Sequence, residues 1–189
     1  MSESVGQGTG MHATAVVFGE SGVLILGPSG SGKSALALAL LARARDVGVF
    51  GALVGDDRVW ARSVGGRLVA SGSPQLAGLI ERRAAGLVTA PHEPSAVVAL
   101  FVELREPGRT WPRLPDEPDV MTVEGVGLPR LALDSGRGAP DQALAVDERL
   151  RIIAAANPKR KGISLEHCAA VHKNGPLTGA RPVRRTLEA

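Results

Sequence analysis

The sequence predicts a single α/β domain built on a mixed, strand-rich sheet. An apolar run, Gly22 to Leu26, leads into Gly27-Pro28-Ser29-Gly30-Ser31-Gly32-Lys33-Ser34, which fits G-x-x-x-x-G-K-[ST], and an Ala/Leu run from Ala35 to Ala42 leads out. Buried strand, phosphate loop and helix therefore follow in the order of P-loop proteins. Only one other long stretch, Ala139 to Ala156, has helical spacing, whereas short strand-like runs recur along the chain. With 189 residues, the chain has room for one domain with a real core and some tail.

Taken in order, Met1 to Met11 is polar and Gly-rich and reads as a disordered leader. The domain is expected over residues 12–156. His12 to Phe18 reads as a strand and Gly19 to Gly22 as a turn. Ser34 to Arg45 is the helix after the loop, ended near Gly48. Val49 to Val54 is a second apolar strand, expected beside the loop strand and finishing at Gly55-Asp56-Asp57. Val59 to Ser63 and Arg67 to Ala70 flank Gly65-Gly66, a hairpin signal. Ser73-Pro74 looks like a helix start, with a short helix running toward Arg83. Ala96 to Leu104 is another strand, Glu106 to Asp119 a Pro-rich and charged loop, and Met121 to Leu133 two short strands around Gly125–Gly127. In the last helix the apolar set is Leu144, Val146, Leu150, Ile152 and Ile153.

Composition narrows the class. Aromatics are 3% with no Tyr, so the core must rest on Val, Leu, Ala and Ile. Cys168 is alone, which excludes an internal disulfide and a Cys-based metal cage and suits a reducing cytoplasm. The leader has no signal-peptide pattern and no apolar run approaches membrane-spanning length. The basic excess belongs to the tail. Asn157 to Ala189 holds seven of 22 Lys/Arg and two of 19 Asp/Glu, net +5, leaving net −2 for the rest. The tail has no aromatic side chain to stack bases, so it reads as solvated and flexible rather than as a nucleic-acid arm.

The loop motif carries the chemistry. Its glycines let backbone N–H groups point at phosphate oxygens, and the helix start adds a positive dipole end. Gly27, Ser29, Gly30, Ser31, Gly32, Lys33 and Ser34 are the expected nucleotide-binding residues. Lys33 would reach the β- and γ-phosphates and Ser34 would offer its hydroxyl to Mg²⁺. Lys33 is also the only lysine before Lys159, every other basic residue in that span being Arg. A compact ammonium is needed there, and a planar guanidinium would not replace it. Asp56 and Asp57 would face the nucleotide from a strand end, one serving the metal and the other taking a hydroxyl proton, although Gly-Asp-Asp is equally turn chemistry. Glu81 is a candidate second metal ligand, with Arg82 and Arg83 as phosphate partners, unless that face is only solvated. His12, alone, reads as a structural donor.

These pieces together resemble the catalytic domain of HPr kinase/phosphorylase. The pattern is H-(x)14-G-x-x-x-x-G-K-S from His12 to Ser34, then Val54-Gly55-Asp56-Asp57, then Glu81-Arg82-Arg83-Ala84-Ala85-Gly86-Leu87-Val88 where the family writes a signature close to E-I-R-G-x-G-I-I. Arg113-Leu114, Gly125-Val126-Gly127-Leu128-Pro129 and Ser135-Gly136-Arg137 follow in family order. The resemblance spans His12 to about Ile153. It departs at Ala84, which replaces the signature's first Gly, and at Arg82, which takes an apolar position.

The resemblance implies a short form, the C-terminal P-loop domain with a fold similar to HPr kinase and PEP carboxykinase. It implies ATP and Mg²⁺ as cofactors, with Ser34, Glu81 and Asp56 on the metal. Asp57 would be the base toward a serine of an HPr-like phosphocarrier, His12 would tune it, and Arg137 or a neighbouring subunit's Arg113 would steady the phosphate. It also implies a cytoplasmic homo-oligomer, hexameric in the family, and a reverse phosphorolysis with inorganic phosphate, serving a phosphotransferase system in carbon or nitrogen metabolism. Two other readings stand beside it: a nucleotide-sensing regulatory module with little catalysis, and a small-molecule P-loop kinase.

Overall fold

A computed structural model describes residues 8–107 and 119–156. Arg113 with most of the Pro-rich loop, the first seven residues and the basic tail with Cys168 lie outside the described residues. The chain divides into a compact body ending at Ile153 and a unit from Ala154, of which only the three residues ending the last helix are described.

The strands are β1 (Thr9–Met11), β2 (Ala13–Phe18), β3 (Ser21–Leu26), β4 (Gly51–Gly55), β5 (Val59–Val64), β6 (Arg67–Gly72), β7 (Leu79–Arg82), β8 (Gly86–Thr89), β9 (Ser95–Arg105), β10 (Val120–Val123) and β11 (Val126–Asp134). The helices are α1 (Lys33–Asp46) and α2 (Ala139–Ala156). The main sheet runs β1-β5-β6-β9-β3-β2-β4, with β11 on β9 and β10 on β11. It is mixed as expected: β3 and β11 are parallel to β9, while the other pairs are antiparallel. The eleven-residue β9 is the hub, pairing β6 near its start and β11 near its end.

Side-chain alternation splits the core. Val23 and Ile25 of β3, Val16 and Phe18 of β2, and Leu100, Val102 and Leu104 of β9 pack with Leu36, Ala37, Leu40 and Ala44 of α1 and with Val146 and Leu150 of α2. Leu24, Ala13, Ala15 and Phe101 turn the other way, onto Val59, Ala61, Leu68 and Ala70 of the β5–β6 hairpin. Leu36 and Leu40 are fully buried one turn apart, so truncating either to Ala should cost roughly 2–5 kcal/mol.

Four expectations need correction. β4 lies beside β2, not beside β3; the antiparallel β2 stands between them. Thr9–Met11 of the leader is ordered as β1, paired with β5. Beyond Ser73 only a 3-10 turn forms at Pro74–Leu76; the chain then makes the β7–β8 hairpin, so Glu81 stands on a strand and not on a helix. On α2, Leu144 and Ile152 are exposed, and the buried positions include Gln142 and Asp147.

Both polar groups have partners. Gln142 Nε2 donates to Asp134 O at 2.9 Å. Asp147 accepts from Arg43 of α1 at 3.0 Å and from Arg151 at 2.9 Å, which joins the two helices.

Two stability predictions follow from these contacts. Arg82 to Ala85 is a turn, closed by Ala85 N–H on Arg82 O, whose third residue, Ala84, has φ 66. A type II turn favours Gly there, and Ala84→Gly should stabilise the protein by about 1 kcal/mol in urea melts. Burial alone would raise the Asp147 carboxyl, but hydrogen bonds from Arg151 and Arg43 outweigh it and hold the group below the ordinary aspartate value. A carboxyl depressed by folding adds stability that is complete above its unfolded pKa and drains away as pH falls through the folded one. Thermal melts should therefore show the wild type losing more stability below about pH 5 than Asp147→Asn.

Candidate active site

The loop turns from β3 into α1 through residues only glycine suits. Gly27 has φ 151, and a Cβ there would lie 2.7 Å from Ser31 Oγ and 2.8 Å from Leu104 O. Gly32 caps α1 in the left-handed region, at φ 97 and ψ 17. The first turn of α1 carries no acidic side chain, so nothing on the helix itself competes with an anion for its N-terminus.

Lys33 is only 7% exposed. Its ammonium donates to Gly27 O and Pro28 O, both at 3.1 Å, and lies 3.0 Å from His12 Nε2. Burial pushes it below the ordinary lysine value, and the charges of Asp57 and Asp56 pull it part of the way back. His12 stands between β1 and β2, and its Nδ1 is 2.7 Å from Asp57 Oδ1. A neutral imidazole with its proton on Nδ1 satisfies both neighbours, accepting from Lys33 and donating to Asp57.

The acid pair is placed by the end of β4. Gly72 approaches so closely that a Cβ on it would lie 2.1 Å from Val54 O. A register shift between Ala15 and Val16 bends β4 against β2. The two carboxylates then meet different surroundings. Asp56 accepts from Thr14 Oγ1 at 2.6 Å, from Ser34 Oγ at 3.0 Å to each oxygen, and from the Glu81 N–H at 3.2 Å. Asp57, at φ 66, is held by His12 while two-thirds of its side chain stays exposed.

His12, Lys33, Ser34, Asp56 and Asp57 thus form one cluster, although β2 separates the strands that carry the loop and the acids. Glu81 joins it through its main-chain N–H, and among the described residues its carboxylate makes no hydrogen bond or ion pair. Arg137 is not joined to the acid pair: it is exposed in the turn after β11, where its N–H donates to Asp134 O. Thr14 was not anticipated. The available signal was a single hydroxyl inside the apolar run Ala13 to Phe18.

The residues present fit a magnesium–nucleotide. Gly30 and Gly32 face open space where a Cβ would stand, and Ser31 Oγ is buried without a hydrogen-bond partner in the loop. Ser34 and Asp56 offer a hydroxyl and a carboxylate, the sparse protein set that Mg²⁺ takes when phosphates and waters fill its other positions. Among the described residues no three His, Cys, Asp or Glu side chains gather into a metal cage. A cavity of about 690 Å³ opens beside the loop, between Leu26–Pro28 and Glu103–Pro107, off the carboxyl ends of the parallel pair β3 and β9.

Comparison with known proteins agrees with this geometry. The family model for the HPr Serine kinase C-terminal domain matches residues 3–139. The HPr kinase/phosphorylase of Limosilactobacillus reuteri (strain DSM 20016) is 32% identical over 133 residues, 65% of this chain and 40% of that protein; the one from L. reuteri subsp. reuteri (strain JCM 1112) matches equally. The chain thus spans 40% of the length of these curated relatives. The HPr(Ser) kinase/phosphatase structure from Coxiella burnetii superposes with a TM-score of 0.62 at 26% identity, over 76% of this chain and 98% of that one. The chain belongs to the HPr serine kinase C-terminal domain family.

Thr14 is fully buried and bonded to a charged group, so Thr14→Val should cost about 2 kcal/mol in denaturant melts. A cost near zero would mean that Thr14 does not hold Asp56.

Proposed function

We propose that this family member transfers the terminal phosphoryl group of ATP to a serine hydroxyl of an HPr-like phosphocarrier in the cytoplasm. The observation that carries this reading is the convergence of Lys33, His12 and Asp57 with Asp56 tied to Ser34. Such an arrangement has a phosphate-binding end and a proton-accepting end a few ångströms apart. A Mg²⁺ ion bound with the nucleotide would supply charge neutralisation across the terminal phosphates.

The chain's own groups divide the remaining work. Loop N–H groups and the Lys33 ammonium hold phosphate oxygens. Ser34 and Asp56 hold the metal, and Thr14 and the Glu81 N–H fix Asp56 in place. Asp57 accepts the serine proton because it alone of the two acids keeps an exposed carboxylate. As the serine Oγ–P bond forms, the bond from phosphorus to the bridging oxygen breaks, and ADP leaves with that electron pair.

The same groups serve the reverse direction, in line with the names of the relatives. Inorganic phosphate attacks phosphoserine, the new P–O bond gives pyrophosphate, and protonated Asp57 returns its proton to the serine oxygen. This reaction would regulate a phosphotransferase system. Among the described residues no helix is long and apolar enough to cross a membrane.

Mass spectrometry of an HPr-like carrier after incubation with the protein, ATP and Mg²⁺ tests the reading. The carrier should gain one phosphoryl group on serine and lose it when inorganic phosphate is added. Asp57→Asn should reduce transfer by about 10²–10⁴-fold, the usual share of a general base, while nucleotide affinity stays within about twofold. Wild-type transfer by that variant would end the assignment of Asp57 as base.

A further inference from the structure

A second cavity, of about 420 Å³, opens beside Asp57, lined by Gly10, Met11 and His12 from one strand end and by Asp57 to Trp60 from the other. It exists because β1 runs antiparallel to β5, with Gly10 opposite Trp60 and Met11 opposite Val59. Lys33 touches the walls of both cavities, Gly27 and Pro28 on the first and His12 on the second. On the kinase reading the loop and the first cavity take the nucleotide, which leaves the second cavity, with Asp57 on its wall, for another group.

Trp60 is half-buried, and the Arg58 guanidinium stands over its ring, 5.8 Å from the centroid. Arg58 is exposed and forms no ion pair among the described residues, so its charge is open to an incoming group. Gly10 leaves the near side of the indole uncovered; a Cβ there would lie 3.7 Å from Trp60 Nε1, ordinary contact. The walls combine an aromatic platform, Met11, and one cation beside the base.

Resting on the kinase reading, we propose that this cavity receives the segment of the phosphocarrier that carries the acceptor serine. The serine hydroxyl points at Asp57 and an apolar neighbour packs on Trp60 and Met11. Arg58 selects against a cationic neighbour and favours the phosphorylated serine in the reverse direction. Trp60 and Arg58 are specificity residues for the acceptor, and neither takes part in the chemistry.

The full chain has two tryptophans, Trp60 and Trp111, so Trp111→Phe makes Trp60 the sole emitter. Titration with an HPr-like carrier should shift its emission saturably, and ATP alone should not. Gly10→Leu places a side chain over the indole without backbone strain, and Arg58→Glu reverses an exposed charge. Each should raise the carrier's half-saturation and its KM at least tenfold with kcat changed less than threefold and ATP affinity unchanged. A phosphorylated carrier that leaves Trp60 emission unmoved, or unchanged carrier KM in both variants, overturns the proposal. If no carrier is phosphorylated, the kinase reading fails by itself. The titration then still decides: a saturable shift keeps the cavity as a protein-docking site, and no shift overturns it.

Discussion

The site hangs on the carboxylate of Asp56. It follows β4, and its donors come from β2 through Thr14, from α1 through Ser34 and from β7 through the Glu81 N–H. Three elements remote in sequence are tied to one charged group. A carboxylate taken partly out of water needs such donors, since burying a charge without them costs several kcal/mol. The donors in turn lose their partner if the carboxylate moves. Fold and site therefore constrain each other: the Gly55–Gly72 approach and the β2–β4 register shift bring Asp56 to the loop, and the hydrogen bonds hold it there.

Two adjacent acids come to differ without any difference in chemistry. Asp56 is tied by protein donors on both oxygens. Asp57 leaves the strand with a left-handed backbone, pairs among the described residues with His12 alone, and keeps most of its side chain in solvent. Sequence spacing could not separate them, because both are acids at a strand end. The proposed assignment of metal partner and base rests on which one has hydrogen-bonding capacity left over.

Much of the architecture was legible in the sequence. The phosphate loop, the helix after it, the Gly65-Gly66 hairpin and the limits of α2 follow from local signals, which report turn chemistry and helical period faithfully. The β7–β8 hairpin was not legible. Its two strands span four residues each, Leu79–Arg82 and Gly86–Thr89, and Ser73-Pro74 ahead of them is a sound helix start. Tertiary pairing overrode that propensity, because Ile80 is drawn fully into the core and the Glu81 N–H onto Asp56. Strand order was also hidden. The continuous apolar run shows that β4 is buried but not which neighbour it pairs with, so its place beside β2 could not be read. Of the site, spacing marked His12, Lys33, Ser34 and the acid pair, while Thr14 looked like one more residue of a β-rich run. The expected role of Arg137 rested on motif order alone, and the fold leaves it exposed in its own turn.

The lysine shows why the two halves of the site are not independent. An ammonium has three protons and no acceptor, and Lys33 has three neighbours to receive them: Gly27 O, Pro28 O and His12 Nε2. A phosphate oxygen that bonds Lys33 must displace one of the three. Giving up a loop carbonyl alters the cradle, since Gly27 and Pro28 are part of it. Giving up His12 frees Nε2 on the ring whose Nδ1 holds Asp57. In either case, what happens at the phosphate reaches Asp57, the proposed base, through one or two hydrogen bonds. A guanidinium in place of Lys33 would be planar and bulkier and could not satisfy these three directions from a single nitrogen. That geometric demand explains why a chain that otherwise uses arginine up to Lys159 carries lysine at this one position.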